Sequence, residues 1–299
     1  MIDYKKPIIV LAGPTATGKS SKAIKLAQKI DGVIINADSR QIYKELKIGT
    51  AQPEPDRIEN NCWYIYDIKH HLYGHVSITE KYNLYQYQKD VQKILDKEDR
   101  IPILVGGTGL YIDSIVYNYN LSSNQNSNSN FSRKELNKMS VIELQSIIDK
   151  KTLKKLNHSD INNPSRLIRV IERGEINRKK GKPLNHIYIL IDTELEIIKK
   201  NIIKRVDEMF EEGLIKENQH LIENGFTYDL YPMRSIGYQE FEEYFENNKS
   251  IKQVKEEIIL HTLQYAKRQK TWFKRNKDTV KVKNYKEIYD SVSNFLSTL

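Results

Sequence analysis

Residues 8–20 read Ile8-Ile9-Val10-Leu11-Ala12-Gly13-Pro14-Thr15-Ala16-Thr17-Gly18-Lys19-Ser20, an apolar run that opens directly into G-x-x-x-x-G-K-[ST]. The run is short and β-branched, the pattern of a parallel strand buried on both faces. From Ser20 onward Ala23, Ala27 and Ile30 recur at helical spacing, with Lys22, Lys25 and Lys29 between them. Strand, glycine loop and helix together are the context in which this motif holds phosphate. Gly13 and Gly18 let the backbone around Pro14, Thr15, Ala16 and Thr17 bend so that successive N–H groups face one anion, and the helix N-terminus adds positive potential. Lys19 supplies a point charge, and the Ser20 hydroxyl suits a Mg²⁺ ion carried on the phosphates. The loop is therefore a diphosphate- or nucleotide-binding element, and it does not say which of the two it holds.

Two further strands place chemistry beside it. Val33-Ile34-Ile35 reads as the second strand, with Asp38 at its C-terminal end. In an open parallel α/β sheet the strand C-termini form the ligand edge, which puts Asp38 near the phosphate loop. Asp38 is then either a general base beside the substrate or, with Ser39, the cap of a following helix. The third strand, Ile101-Pro102-Ile103-Leu104-Val105, runs into Gly106-Gly107-Thr108 rather than into the carboxylate that organises Mg²⁺ and water in a P-loop ATPase. The glycines allow close backbone approach, and Thr108 is a partner for a phosphate oxygen or a helix cap. The missing carboxylate argues against nucleotide hydrolysis as the main activity. Asp192, after the apolar run 188–191, is read as part of a helix N-cap.

With 299 residues the chain holds one large domain or one domain plus an insert. A formal charge of +9 suits a polyanionic partner. The single cysteine, Cys62, rules out an internal disulfide framework and a Cys-cluster zinc site. No stretch has the length and apolarity of a membrane span, and no signal-peptide core begins the chain, so a cytoplasmic protein is expected. A strand is expected near Trp63–Ile68 and a helix from Asn83 to Leu95. His70 and His71 are adjacent and point different ways, which suits packing rather than chelation.

Residues 122–130, Ser-Ser-Asn-Gln-Asn-Ser-Asn-Ser-Asn, are too polar to join a core and mark a boundary. From Phe131 to about Gly181 only helical periodicity appears, and sheet pattern resumes at Ile187–Ile191. The expected architecture is α/β: a P-loop NTPase-like parallel sheet flanked by helices, with an all-helical insertion domain. Residues 1–120 form the first part of the core, 121–185 the insertion, and 186–299 a second, mostly helical part of the core. Within the insertion, Asn163-Pro164-Ser165-Arg166-Leu167-Ile168-Arg169 opens a helix with two arginines about one turn apart. Arg173, Arg178, Lys179, Lys180 and Lys182 extend its positive character. In the final long helix Val254, Ile258, Thr262, Tyr265, Gln269 and Trp272 form a stripe, while Lys267, Arg268, Lys270, Lys274, Arg275 and Lys277 crowd its end. Aromatics interleaved with basic residues suit stacking on bases and contact with a phosphate backbone.

In combination these segments resemble the tRNA dimethylallyltransferases, or tRNA isopentenyltransferases, of the bacterial type. The resemblance rests on GPTATGKS at 13–20, ADSRQIYKELKIGTAQP at 37–53 and LVGGTGLYIDS at 104–114. NNPSRLIRVIE at 162–172, RVDEMFEEGL at 205–214, MRSIGYQEF at 233–241 and YAKRQKTWFKR at 265–275 follow in the same order. The resemblance implies transfer of a dimethylallyl group from dimethylallyl diphosphate to N6 of adenosine 37, next to the tRNA anticodon. It implies Asp38 as general base, and Lys19, Thr108 and Arg205 on the leaving diphosphate, with Ser20 on Mg²⁺. It implies contact of Asp38, Ser39, Arg40, Gln41, Ser165, Arg166, Leu167, Ile168, Arg169, Lys267, Arg268, Lys274 and Arg275 with the tRNA anticodon stem-loop, and a monomeric protein. The family's Pro-His-His-Leu-Ile-Asp segment is replaced at 61–67 by Asn61-Cys62-Trp63-Tyr64-Ile65-Tyr66-Asp67, in which Asp67 keeps the family's place. The rival readings are an ATP-dependent P-loop small-molecule kinase, with Asp38 deprotonating a hydroxyl, and a non-catalytic RNA-binding NTPase.

Overall fold

The computed structural model describes residues 2–121, 131–173 and 180–299. The low-complexity run 122–130 and the basic pair Arg178 and Lys179 lie outside the described residues. The chain divides into two compact units, Ile2–Asn118 with Lys182–Leu299, and Tyr119–Gly181.

The larger unit is built on a sheet of eight strands among the described residues: β1 (Ile8–Ala12), β2 (Gly32–Asn36), β3 (Arg57–Glu59), β4 (Cys62–Ile65), β5 (Ile68–His71), β6 (Ile101–Gly106), β7 (His186–Ile191) and β8 (Val280–Val282). Their order is β3-β4-β5-β2-β6-β1-β7-β8. From β5 to β8 neighbouring strands run parallel, and only β3-β4-β5 is antiparallel. Every residue of β1 and β2 is buried, as their apolar β-branched composition requires. The expected strand near Trp63–Ile68 is two strands, β4 and β5. Tyr66 and Asp67, both at positive φ, make the two-residue turn between them. Asp67 is thus an exposed turn residue paired with Arg57. His70 and His71 are buried on β5, and burial pushes His71 down to about 4, so it packs as a neutral ring.

Helices α1 (Lys19–Ile30), α2 (Leu84–Leu95) and α3 (Gly109–Val116) follow β1, the hairpin region and β6. Ala23, Leu26 and Ala27 bury the inner face of α1. Asn83 and Gln86 close a capping box at the start of α2. After the smaller unit come α9 (Leu195–Glu211), α10 (Leu214–Glu223), α11 (Glu242–Phe245), α12 (Ile251–Phe273) and α13 (Tyr285–Ser297). The last third, expected to be helical, also contributes β8, which extends the sheet beside β7. Its three residues are too few to raise a periodic signal. Asp192 does not cap α9, whose N-cap residue is Glu194 without a side-chain bond. Asp192 instead pairs with Lys270 at 3.4 Å, and its backbone N–H donates to Val282.

The smaller unit holds α4 (Arg133–Leu136), α5 (Val141–Ile147), α6 (Lys150–Lys155), α7 (His158–Ile161) and α8 (Pro164–Arg173). Leu136, Leu144, Ile148, Leu167, Ile168 and Val170 form its core. Pro164 opens α8, where its missing N–H has no partner to lose.

Candidate active site

The strand order decides the site, because β2, β6 and β1 are adjacent and their C-terminal ends share one edge. Ala12 lies opposite Gly106, and Asn36 opposite Val105. The phosphate loop, Asp38 and Gly106-Gly107-Thr108 therefore leave the sheet side by side. Closeness at this edge is what the glycines permit. A Cβ on Gly106 would stand 2.2 Å from the Ala37 carbonyl oxygen, and one on Gly107 would stand 2.1 Å from Gln269 Nε2.

Between these loops and α9 lies a cavity of about 460 Å³, lined by Thr15–Ser21, Asp38, Gln41, Thr50, Tyr73, Arg205 and Gln269 among others. Gly18 has φ 71°, a left-handed conformation that glycine adopts without strain. It occupies the N-cap of α1 with no side chain to satisfy the first helical N–H groups, which suits them to an anion. The loop is braced from within: Thr17 Oγ1 donates to the Pro14 carbonyl at 2.9 Å, and Lys22 Nζ to the Thr17 carbonyl at 2.8 Å. Asn201 from α9 donates to the Ala16 carbonyl at 2.9 Å.

Lys19 Nζ donates to the Pro14 carbonyl at 2.6 Å. Burial of its head group pulls the ammonium down to about 7, against the opposing pull of Asp38, with Arg205 and Lys22 adding to the depression. Arg205 donates to Thr15 Oγ1 at 3.1 Å, and burial lowers its pKa too, again against Asp38. Two desolvated cations around one loop are a strong electrostatic demand for an anion. Ser20 is exposed on the cavity at the first turn of α1.

Asp38 caps no helix, since turns and not a helix follow it. Its Oδ1 accepts the Arg40 N–H at 2.9 Å, which turns the chain, and its own N–H donates to Asn36 Oδ1 at 2.9 Å. The carboxylate is thereby held at the cavity facing Lys19 and Arg205. Thr108 stands at the N-cap of α3 but its hydroxyl makes no cap bond. It accepts the Ser39 N–H at 3.0 Å and donates to Ser39 Oγ at 3.3 Å. Gln41 donates to the carbonyls of Thr50 and Ala51, closing the rim.

Gln269 was legible only as one member of a helical stripe. Buried at 4 % exposure, it accepts the Thr15 N–H at 2.9 Å and donates to the Gly107 carbonyl at 3.0 Å. It thus ties the phosphate loop to the Gly-Gly-Thr loop from α12. An amide amid apolar stripe positions was the available signal.

Of the residues expected on RNA, Ser39 and Arg40 stand beside Asp38. Lys267, Arg268, Lys274 and Arg275 are exposed along the end of α12 and the turn after it, outside the cavity. The guanidinium of Arg275 lies 5.3 Å from the Trp272 ring and that of Arg268 lies 5.8 Å from the Tyr265 ring. Ser165, Arg166 and Arg169 are exposed on α8, and Arg166 pairs with Asp160. Leu167 and Ile168 instead face the core of the smaller unit at 0 % and 2 % exposure, which corrects their expected RNA contact to a packing role. They occupy the apolar stripe of the same helix that presents the arginines.

Among known proteins, the profile of the IPP transferase family matches residues 41–276. A "tRNA dimethylallyltransferase" of Acholeplasma laidlawii is 37% identical over 275 residues, covering 90% of this chain and 89% of the relative. One from Caldicellulosiruptor saccharolyticus is 36% identical over 296 residues, with 92% of each chain covered. Among solved structures, the full-length tRNA isopentenylpyrophosphate transferase of Bacillus halodurans superposes with a TM-score of 0.73 at 28% identity, covering 98% of this chain and 97% of its own. A eukaryotic dimethylallyltransferase, described as acting on tRNA, superposes with a TM-score of 0.75 at 25% identity over 93% of this chain and 74% of that one.

Proposed function

This chain belongs to the IPP transferase family, and from that premise and its cavity we propose that it transfers a dimethylallyl group from dimethylallyl diphosphate to N6 of adenosine 37 in tRNA, releasing diphosphate. The observation that carries the reading is that Asp38 shares one cavity with Lys19 and Arg205. A base therefore stands across from an anion cradle, with room between them for an allylic carbon. The new bond joins N6 to the allylic C1, the C1–oxygen bond breaks, and Asp38 takes the N6 proton. An allylic carbon ionises readily, so the work falls on stabilising the departing diphosphate and aiming a weak amine. The α1 N-terminus, Lys19 and Arg205 supply the first. Thr108, held by Ser39, is assigned to the leaving diphosphate as well. The target base leaves its stack to reach the cavity.

A Mg²⁺ ion fits this site as a substrate-borne cation. The Ser20 hydroxyl, exposed on the cavity, is the protein oxygen assigned to it, and Mg²⁺ commonly takes most of its remaining shell from phosphates and water. When bound it neutralises charge on the leaving diphosphate. On the RNA side, Ser39, Arg40 and Gln41 are assigned to the nucleotides around the target. Ser165, Arg166, Arg169, Lys267, Arg268, Lys274 and Arg275 are assigned to the anticodon stem-loop backbone. The family resemblance supports a monomer acting in the cytoplasm, and no described helix is long and apolar enough to cross a membrane.

The test is transfer of label from dimethylallyl diphosphate to unmodified tRNA with Mg²⁺, run with and without ATP. Label entering tRNA without ATP is the expected result. Phosphoryl transfer that requires ATP, with no prenylation, overturns the assignment in favour of a kinase.

A further inference from the structure

One exposed aromatic side chain near Asp38 has no packing role. Tyr231 is 70% exposed, and its ring lies over the Arg40 guanidinium, 4.4 Å from the ring centroid. Arg40 is the residue whose backbone N–H is held by the Asp38 carboxylate. The guanidinium is thus tied, two residues away, to the carboxylate assigned as base. Tyr231 also sits on a rigid mount. It begins the 3₁₀ turn Tyr231–Arg234, in which Pro232 and Met233 are buried and Ser235 Oγ donates to the Pro232 carbonyl at 2.6 Å. Arg234 closes the turn by pairing with Glu242. The ring is therefore displayed, not left over.

Arg40 adds a second observation. Its Nη1 is buried and meets no acceptor among the described residues. Buried donors without partners are rare, and each one calls for an explanation. Here the donor is closed off beneath an aromatic plate two residues from the cavity-lining Asp38, so the guanidinium covers one face of the Tyr231 ring and leaves the other open. A nucleotide answers the open face, because its base stacks on an aromatic ring. A base extruded from a loop also leaves a neighbour unstacked on one side.

We propose that Tyr231, backed by Arg40, is the stacking platform for the nucleotide flanking the target adenosine, which stacks on the ring face that Arg40 leaves open. The proposal rests on the tRNA prenyltransferase reading and adds a residue that selects how the anticodon loop is seated. Tyr231 supplies stacking area, and its hydroxyl is dispensable.

The experiment uses the full chain and an anticodon stem-loop RNA carrying 2-aminopurine on the 5′ or the 3′ side of the target adenosine. Stacking quenches 2-aminopurine fluorescence, and the signal needs no turnover. In the wild-type protein one of the two positions is expected to be quenched on binding. Tyr231→Ala should abolish that quenching and weaken stem-loop binding about tenfold to hundredfold, the loss typical of one base–aromatic stack. Tyr231→Phe should keep both within about twofold, and inorganic pyrophosphate affinity should be unchanged in both variants, which shows that the fold is intact. Wild-type quenching and affinity in Tyr231→Ala, or equal loss in Tyr231→Phe and Tyr231→Ala, overturns the proposal. If the wild-type protein quenches the probe but transfers no prenyl group, the platform stands and the reaction assignment fails. Transfer without quenching at either position removes the platform and leaves the reaction.

Discussion

Asp38 is fixed at the cavity by the turn it forms. One carboxylate oxygen accepts the Arg40 N–H, and the site's two cations face it across the cavity. Asp38→Asn keeps the turn-forming acceptor but cannot take the N6 proton. Its turnover is expected to fall about 10²- to 10⁴-fold, the usual worth of a general base. Affinity for tRNA should be unchanged, as checked by single-turnover transfer beside a binding titration. Lys19 supplies a pH prediction. Its folded value of about 7 lies below the ordinary 10.5, so burial disfavours the ammonium, and between those limits the ligand-free site is largely neutral at this residue. A bound diphosphate favours the ammonium and raises the value again. Binding at pH 8 therefore takes up a proton, and affinity falls as pH rises above 7, by up to about tenfold per unit from this group. Pyrophosphate titrates on its own account, so the measurement is calorimetric binding at several pH values in wild type and in Lys19→Arg. The arginine stays charged throughout, and its curve should lack the lysine's share of the slope.

At the scale of elements, α12 acts as a brace across two strand-end loops. Gln269 holds Thr15 on one side and Gly107 on the other, and Trp272 Nε1 donates to Asp113 of α3 at 2.9 Å. Gln269→Ala leaves the half-buried Thr15 N–H open to the cavity and the buried Gly107 carbonyl unpaired, the latter costing about 1–3 kcal/mol of stability. The KM for dimethylallyl diphosphate should rise, because the phosphate loop loses its tie, and chemical denaturation beside steady-state kinetics would separate the two effects. Gly106→Ala tests the packing of β6 against the chain after β2. Its Cβ would meet the Ala37 carbonyl at 2.2 Å, so backbone must move. Displacing Asp38 by about 1 Å is expected to lower transfer roughly hundredfold. The same substitution at exposed Gly225, whose Cβ would meet nothing within 4 Å but whose φ is 81°, should cost stability alone.

At the scale of the whole molecule, an excess of 48 basic over 39 acidic residues biases every encounter with RNA. Lys267, Arg268, Lys274 and Arg275 have no carboxylate partner among the described residues, so they are available to phosphates. These four contacts account for roughly a hundredfold of the fall in tRNA affinity between 50 and 200 mM salt. Replacing all four by alanine should lower the slope by their share, leave the share of Arg166 and Arg169, and keep pyrophosphate binding unchanged. A slope that does not change in the quadruple variant would move the RNA footprint elsewhere on the molecule.

The sequence by itself determined the elements whose signals are local. A glycine loop between an apolar run and a helical stripe has one physical use, so residues 8–30 were legible as strand, phosphate loop and helix. The alignment of Asp38 and Thr108 with that loop was legible too, since each follows an apolar run and parallel strands share a ligand edge. What only tertiary structure decided depends on long-range pairing. Strand order made β2, β6 and β1 neighbours, and that order is set by side-chain packing between residues distant in the chain. The same pairing removed Asp192 from its expected cap and gave it to Lys270, and it added the three-residue β8. Leu167 and Ile168 changed role because burial, not residue position within a motif, decides which side chains of a helix can reach an RNA. Gln269 and Tyr231 carry no motif of their own. Their meaning comes from the partners that folding brings to them, a buried amide spanning two loops and an exposed ring seated on Arg40.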